Sequence, residues 1–176
     1  MLITVSGPPG SGTTTAAERV AARLELALVP GGAVFRSMAS ERGLSLGEFG
    51  RYATDHPEVD VELDGRLADR ARQGDVVIES RLAGWIARNE GLPAVRAWID
   101  CAPDVRAGRV AAREGVSRAQ ARAENDERQH VERSRYLVLY GLDLEDLSIY
   151  DLALDSGALG PDELSDRIVE VALKRF

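Results

Sequence analysis

The chain has 176 residues, 44% of them apolar and 29% charged, with a formal net charge of −7; it is long enough for one well-cored domain, too short for two large ones, and too hydrophobic for disorder. The acidic balance argues against affinity for nucleic acid polymers or anionic membranes, which require a basic face, and no apolar run approaches the roughly 20 residues of a membrane span. The single cysteine, Cys101, excludes an internal disulfide and suits a reducing compartment.

In chain order, Met1 to Ser6 reads as a short apolar strand. It runs into Gly7-Pro8-Pro9-Gly10-Ser11-Gly12-Thr13-Thr14-Thr15. Gly7 and Gly12 fit the frame G-x-x-x-x-G-K-[ST], in which backbone N–H groups at a helix N-terminus wrap a polyphosphate. Thr13 stands where that frame asks for lysine, and Thr14 stands where a hydroxyl coordinates the Mg2+ of a bound nucleotide. The only lysine is Lys174, near the C-terminus, so arginine must supply the missing positive charge. The alternative reading of this stretch is a strand, turn and helix whose glycines only tighten the turn.

Apolar residues at 16, 17, 20, 21, 24 and 26 predict a helix over 14–26. Leu26 to Pro30 reads as a second strand, closed by a turn at Pro30-Gly31-Gly32. Helices are predicted over 34–42, over 45–54 with a capping box at Ser45 and Glu48, and over 59–72. The region 34–72 is longer than a simple crossover needs and reads as an inserted substrate-binding lobe.

Asp75 to Glu79 has the character of a strand buried on both faces of a parallel sheet, so active-site residues should follow its carboxyl end. Glu79 and Arg81 are the candidates there, a structural ion pair being the alternative for Glu79, and Trp85 reads as core. Val95 to Asp100 is the next strand, and Cys101 after it reads as a structural thiol. A helix follows over 105–114, then a long one from Ser117 to about Tyr140, a last strand over 148–154 and a closing helix over 162–174. From Asp104 to Arg135 eight arginines face six acids. Arg106, Arg109 and Arg113 share one helix face, although a solvated face of ion pairs accounts for most of these arginines. Alternating strands and helices give an α/β fold with a mainly parallel sheet of about five strands.

This inventory suits phosphoryl transfer between small anions, in which loop amides, Mg2+ and lid arginines surround the transferred group. The sequence resembles the archaeal-type cytidylate kinases of the nucleoside monophosphate kinase family, which have the P-loop NTPase fold. The resemblance rests on the loop from Ser6 to Thr15, Phe35-Arg36, Glu48-Phe49, Tyr52-Ala53, His56 to Asp60, Arg81-Leu82-Ala83-Gly84-Trp85, and Tyr140-Gly141 through Leu147-Ser148-Ile149-Tyr150-Asp151. It implies transfer of the ATP γ-phosphate to CMP or dCMP, and it includes members with Gly-Thr-Thr-Thr at the loop.

By that resemblance Gly7, Pro8, Pro9, Gly10, Ser11, Gly12, Thr13, Thr14 and Thr15 bind ATP, and Arg36 grips the acceptor phosphate. Arg81 faces the acceptor nucleotide. Arg128, Glu132 and Arg135 resemble the ribose and phosphate clamp of the bacterial enzymes, with Glu132 where those carry Asp. Those enzymes also have an acid where this chain has Leu82, which leaves open whether Glu79 or Asp100 supports the metal. Arg109 or Arg113 is the expected replacement for the loop lysine. Asp60 and Asp64 order the lobe or touch the base, the structural role being favoured. The whole chain, 1–176, is then one kinase domain, with 34–72 as acceptor-binding insertion and about 104–135 as lid and clamp helices. A cytoplasmic monomer is expected, since the first strand begins with no targeting segment ahead of it. Two alternatives stand beside this reading: a P-loop kinase for UMP, AMP or shikimate, and a nucleotide-binding module without transfer activity.

Overall fold

The computed structural model describes residues 1–176, apart from the side chain of Leu46. Five strands, β1 (Leu2–Ser6), β2 (Ala27–Pro30), β3 (Val76–Glu79), β4 (Val95–Asp100) and β5 (Leu152–Asp155), form one sheet in the order β2-β3-β1-β4-β5, every neighbouring pair parallel. All strand carboxyl ends therefore lie along one edge, and the loops leaving β1 and β3 meet there.

Strand alternation divides the core between the two faces. Ile3, Val5, Val77, Ala97 and Ile99 pack against α1 (Thr13–Leu24) and α8 (Pro161–Arg175), burying Ala16, Val20 and Ile168. Leu2, Val76 and Ile78 face the other way, onto Leu67 and Ala71 of α4 (Glu58–Arg72) and Ala83 and Ala87 of α5 (Ala83–Asn89).

Between β2 and β3 lie α2 (Gly31–Glu41), α3 (Leu46–Asp55) and α4, gathered around Phe49, Met38 and Val59. The capping box at the start of α3 is complete: Ser45 Oγ accepts from the Glu48 N–H and Glu48 Oε2 accepts from the Ser45 N–H at 2.9 Å. After β4 come α6 (Pro103–Glu114) and the 23-residue α7 (Arg118–Tyr140), joined through the left-handed Gly115. Among the described residues no helix is long and apolar enough to cross a membrane.

Three elements depart from the expectation. First, α2 begins at Gly31, where a turn is predicted. A Cβ at Gly31 would lie 2.8 Å from Ser80 Cβ and 3.3 Å from the Glu79 carbonyl, so a glycine lets the helix start against the end of β3. Second, the last strand starts at Leu152 rather than 148. Asp146 accepts from the Ser148 N–H and the Tyr150 N–H bonds to the Leu147 carbonyl, so 147–149 form a 3₁₀ turn instead. Third, α5 is not anticipated. It has seven residues, no side-chain N-cap and a buried glycine, so local signals for it are weak. That glycine is required: a Cβ on Gly84 would meet the Tyr150 ring at 2.4 Å.

Candidate active site

The turn after β1 is an open cradle. Gly10 and Gly12 have φ of +79° and +92°, left-handed values that favour glycine, and the Ser11 N–H closes the turn on the Pro8 carbonyl at 3.2 Å. Gly12 caps α1 with no side-chain acceptor. The first-turn amides of α1 thus keep their hydrogens for an anion, at the positive end of the helix dipole. The Ser11 hydroxyl is buried without a partner.

The cradle opens into a cavity of about 880 Å³, near the upper end for small-molecule clefts. Gly7, Pro8, Pro9, Gly10, Thr13 and Thr14 line one end, with Glu79, Ser80 and Arg81 beside them. Gly31, Gly32, Phe35, Asp60 and Asp64 contribute from α2 and α4, and Arg128, Glu132, Arg135 and Tyr136 from α7. Ser11, Gly12 and Thr15 support the turn but do not line the cavity.

The predicted residues fall into distinct settings. Thr13 Oγ1 donates to Glu79 Oε1 at 2.7 Å, which ties the lysine-replacing residue to the acid ending β3. Thr14, exposed at the mouth of the same turn, has no hydrogen-bond partner for its hydroxyl among the described residues. Arg109 Nη1 and Nη2 hold Ser156 Oγ and carbonyl at 2.8 Å each, and Nη1 lies 3.4 Å from the Gly10 and Ser11 carbonyls. Its guanidinium grips the outside of the turn and does not line the cavity. Arg113 does line it; its side chain is 68% exposed, with only the adjacent Glu114 as ionic partner among the described residues. Arg36 is exposed on α2, its Nη1 3.5 Å from where a Cβ on Gly32 would lie, and does not line the cavity.

Arg81, Glu132 and Arg128 form one ionic unit. Arg81 Nε donates to Glu132 Oε2 at 2.6 Å and Arg128 Nε to Oε1 at 2.8 Å. Burial acts to raise the Glu132 carboxyl, but the two guanidinium groups more than offset it and leave it below the usual carboxylate range. Glu132→Leu would strand the half-buried Arg81. Allowing for water in the open cavity, the variant is expected to lose about 2 kcal/mol of stability, read as a fall in Tm of about 6 °C. Because the folded pKa is depressed, this contribution is full above the unfolded carboxylate pKa and is lost as pH falls through the folded value. The Tm gap should therefore close below about pH 4.

Arg135 Nε lies 3.0 Å from Asp60 Oδ2, although at an angle that leaves neither atom hydrogen-bonded. Burial raises Asp60, and Arg135 only partly reverses this. Asp64, one turn further along α4, accepts the Tyr140 hydroxyl at 2.7 Å.

Arg106 shares the helix face of Arg109 and Arg113 but has a different part in the molecule. At 4% exposure it bonds the carbonyls of Cys101 and Pro9 at 3.1 and 3.3 Å and Gln129 Oε1 at 3.1 Å, thereby tying α6 and α7 to the turn. The one available signal is its place among Ala107 and Val110 on the buried stripe of α6.

Residues 2–158 match the model of the cytidylate kinase-like family. The chain is 48% identical over 162 residues to a cytidylate kinase of Pyrococcus horikoshii, covering 92% of this chain and 83% of that one. It is 42% identical over 171 residues to a cytidylate kinase of Halobacterium salinarum, covering 97% and 88%. Its fold is similar to that of a shikimate kinase from Bacteroides thetaiotaomicron, with a TM-score of 0.69 at 14% identity over 98% of each chain.

Proposed function

Because the chain belongs to the cytidylate kinase-like family, we propose that it transfers the γ-phosphate of ATP to CMP or dCMP, giving ADP and CDP or dCDP. The observation that carries this reading is the single cavity joining the loop cradle to the Arg81–Glu132–Arg128 unit. Donor and acceptor phosphates can meet inside it.

In this reading the amides of the 7–15 turn hold the β- and γ-phosphates, and α2–α4 form the acceptor-binding lobe of a single domain. Arg81, Arg128 and Arg135 hold the acceptor phosphate and ribose, with Arg36 reaching in from the rim of α2. Glu132 fixes two of those guanidinium groups before substrate arrives, so little reorganisation is left for the transition state. Phosphoryl transfer spreads negative charge over the transferred group and depends mainly on positioning and cations. Arg113 is the cation best placed to follow that charge, on a lid built from α6 and α7, whereas Arg109 shapes the turn from behind. Thr14 Oγ and Glu79 are hard oxygen donors at the phosphate end, the donor set and low ligand count that Mg2+ accepts when phosphates complete its shell. When bound, Mg2+ would neutralise phosphate charge there. The reading takes the enzyme to be a cytoplasmic monomer, a compartment that suits its lone buried Cys101.

The test is a coupled ADP-release assay with CMP, dCMP, UMP, AMP and shikimate as acceptors. Turnover is expected to be highest with CMP or dCMP. Equal or better turnover with UMP, AMP or shikimate would overturn the acceptor assignment. ATP binding without ADP release for any acceptor would make the chain a binding module instead.

A further inference from the structure

Two buried acids, Asp60 and Glu132, and the half-buried Asp64 line the cavity. Glu132 holds two guanidinium groups and Asp60 lies against a third, but Asp64 contacts none among the described residues. Its Oδ2 accepts the Tyr140 hydroxyl, and Oδ1 has no hydrogen-bond partner among those residues. Asp64 also borders a second, smaller cavity of about 220 Å³ that contains no residue of the phosphate turn. Asp64 and Leu82 line both cavities, so Asp64 marks the side of the main cavity that adjoins the second one.

We infer that Asp64 is the residue that reads the cytosine edge, its free oxygen accepting from the 4-amino group, and that Tyr140 is the positioning residue that fixes the carboxyl for this contact. The inference rests on the acceptor assignment above. A carboxylate accepting from the cytosine amine is the natural match of donor and acceptor. Uracil offers O4 at the same place, setting oxygen against oxygen in a partly desolvated site.

Burial pushes the Asp64 carboxyl up to about 6, the Tyr140 hydroxyl acts to lower it, and Asp60 on the same helix raises it against the pull of Arg135 from α7. Above that value the carboxylate, the form that accepts from the amine, predominates. Phe35 and Tyr136 also line the cavity, aromatic surface available to the base.

The test compares wild type, Asp64→Asn, Asp64→Leu and Tyr140→Phe on CMP, UMP and the 2-pyrimidinone nucleotide that lacks the 4-amino group. Both kcat/KM and binding by titration calorimetry are measured. Wild type is expected to lose about 10-fold or more when the amine is removed, and Asp64→Leu to treat CMP and the amine-free nucleotide alike within about threefold. Asp64→Asn, nearly isosteric and able to keep the Tyr140 contact, should lower the CMP:UMP preference by about 10-fold with KM for ATP unchanged. Tyr140→Phe should lower it by a smaller factor. A merely structural Asp64 would weaken all three nucleotides equally, and that result, or an unchanged CMP:UMP ratio in folded Asp64→Asn, overturns the inference. If wild type turns over no acceptor, the transferase reading fails while the binding comparison still decides the role of Asp64.

Discussion

Replacing Arg113 by alanine is expected to lower kcat with CMP by about 10³-fold while ATP binding stays within about threefold of wild type, because an arginine placed on the transferring phosphoryl group is worth about that much in related chemistry. The expectation follows from how the late arginines are occupied. Arg106 is bonded on every side by carbonyls and Gln129, and Arg109 is held by Ser156 and the back of the turn. Arg128 and Arg81 are committed to Glu132. Arg113 alone of the α6 set lines the cavity with its side chain mostly in solvent, so removing it should leave packing intact and fall on the chemical step. Single-turnover and steady-state kinetics, with ATP titration alongside, would measure this. A loss of only a few-fold in kcat would exclude Arg113 as the cation that replaces the loop lysine. Arg109→Ala should behave differently: KM for ATP should rise, because the turn loses its support.

Gly7→Ala is expected to remove detectable ATP binding. A Cβ at this position would lie 2.2 Å from the Ile99 carbonyl and within 3 Å of Ser11 Oγ and Thr13 Cγ2. The first of these is backbone of β4, where Ile99 pairs with Leu154 of β5, and it cannot yield without disturbing that pairing. The turn must move instead, and its amides move with it. Loss of the thermal shift that ATP gives wild type, together with an apo Tm lowered by several degrees, would show that the cradle and the sheet share one constraint. Retained ATP affinity in this variant would mean that the turn is not where the phosphates sit.

The parts of this molecule carried by short-range chemistry are readable from the chain. Glycine spacing fixes the turn, an unbroken apolar run gives β3 and a mostly apolar one β4, and Ser45 with Glu48 marks a helix start whose reciprocal bonds are present. Where expectation and structure part at a glycine, a distant neighbour decides. Gly31 looks like a turn residue until the end of β3 is set against it, and at Gly84 the Tyr150 ring fills the space a side chain would need. The site follows the same division. Its phosphate end is local in sequence, whereas the Arg81–Glu132 contact spans 51 positions and the Tyr140–Asp64 contact spans 76. No periodicity encodes such pairings. Arg106 illustrates the difficulty well: by composition it is one of eight similar arginines, and only packing shows that it is the buried one.

The seam between Gly31 and Ser80 has a mechanical consequence. With the first residue of α2 pressed against the strand that bears Glu79, the helical lobe cannot slide off the sheet as a block. With Leu67 and Ala71 of α4 also packed on the sheet, only the part of the lobe beyond that corner can swing, as a door does on its jamb. Displacement then grows with distance from the corner, so the far rim around α3 travels furthest while the side chains beside Glu79 barely move.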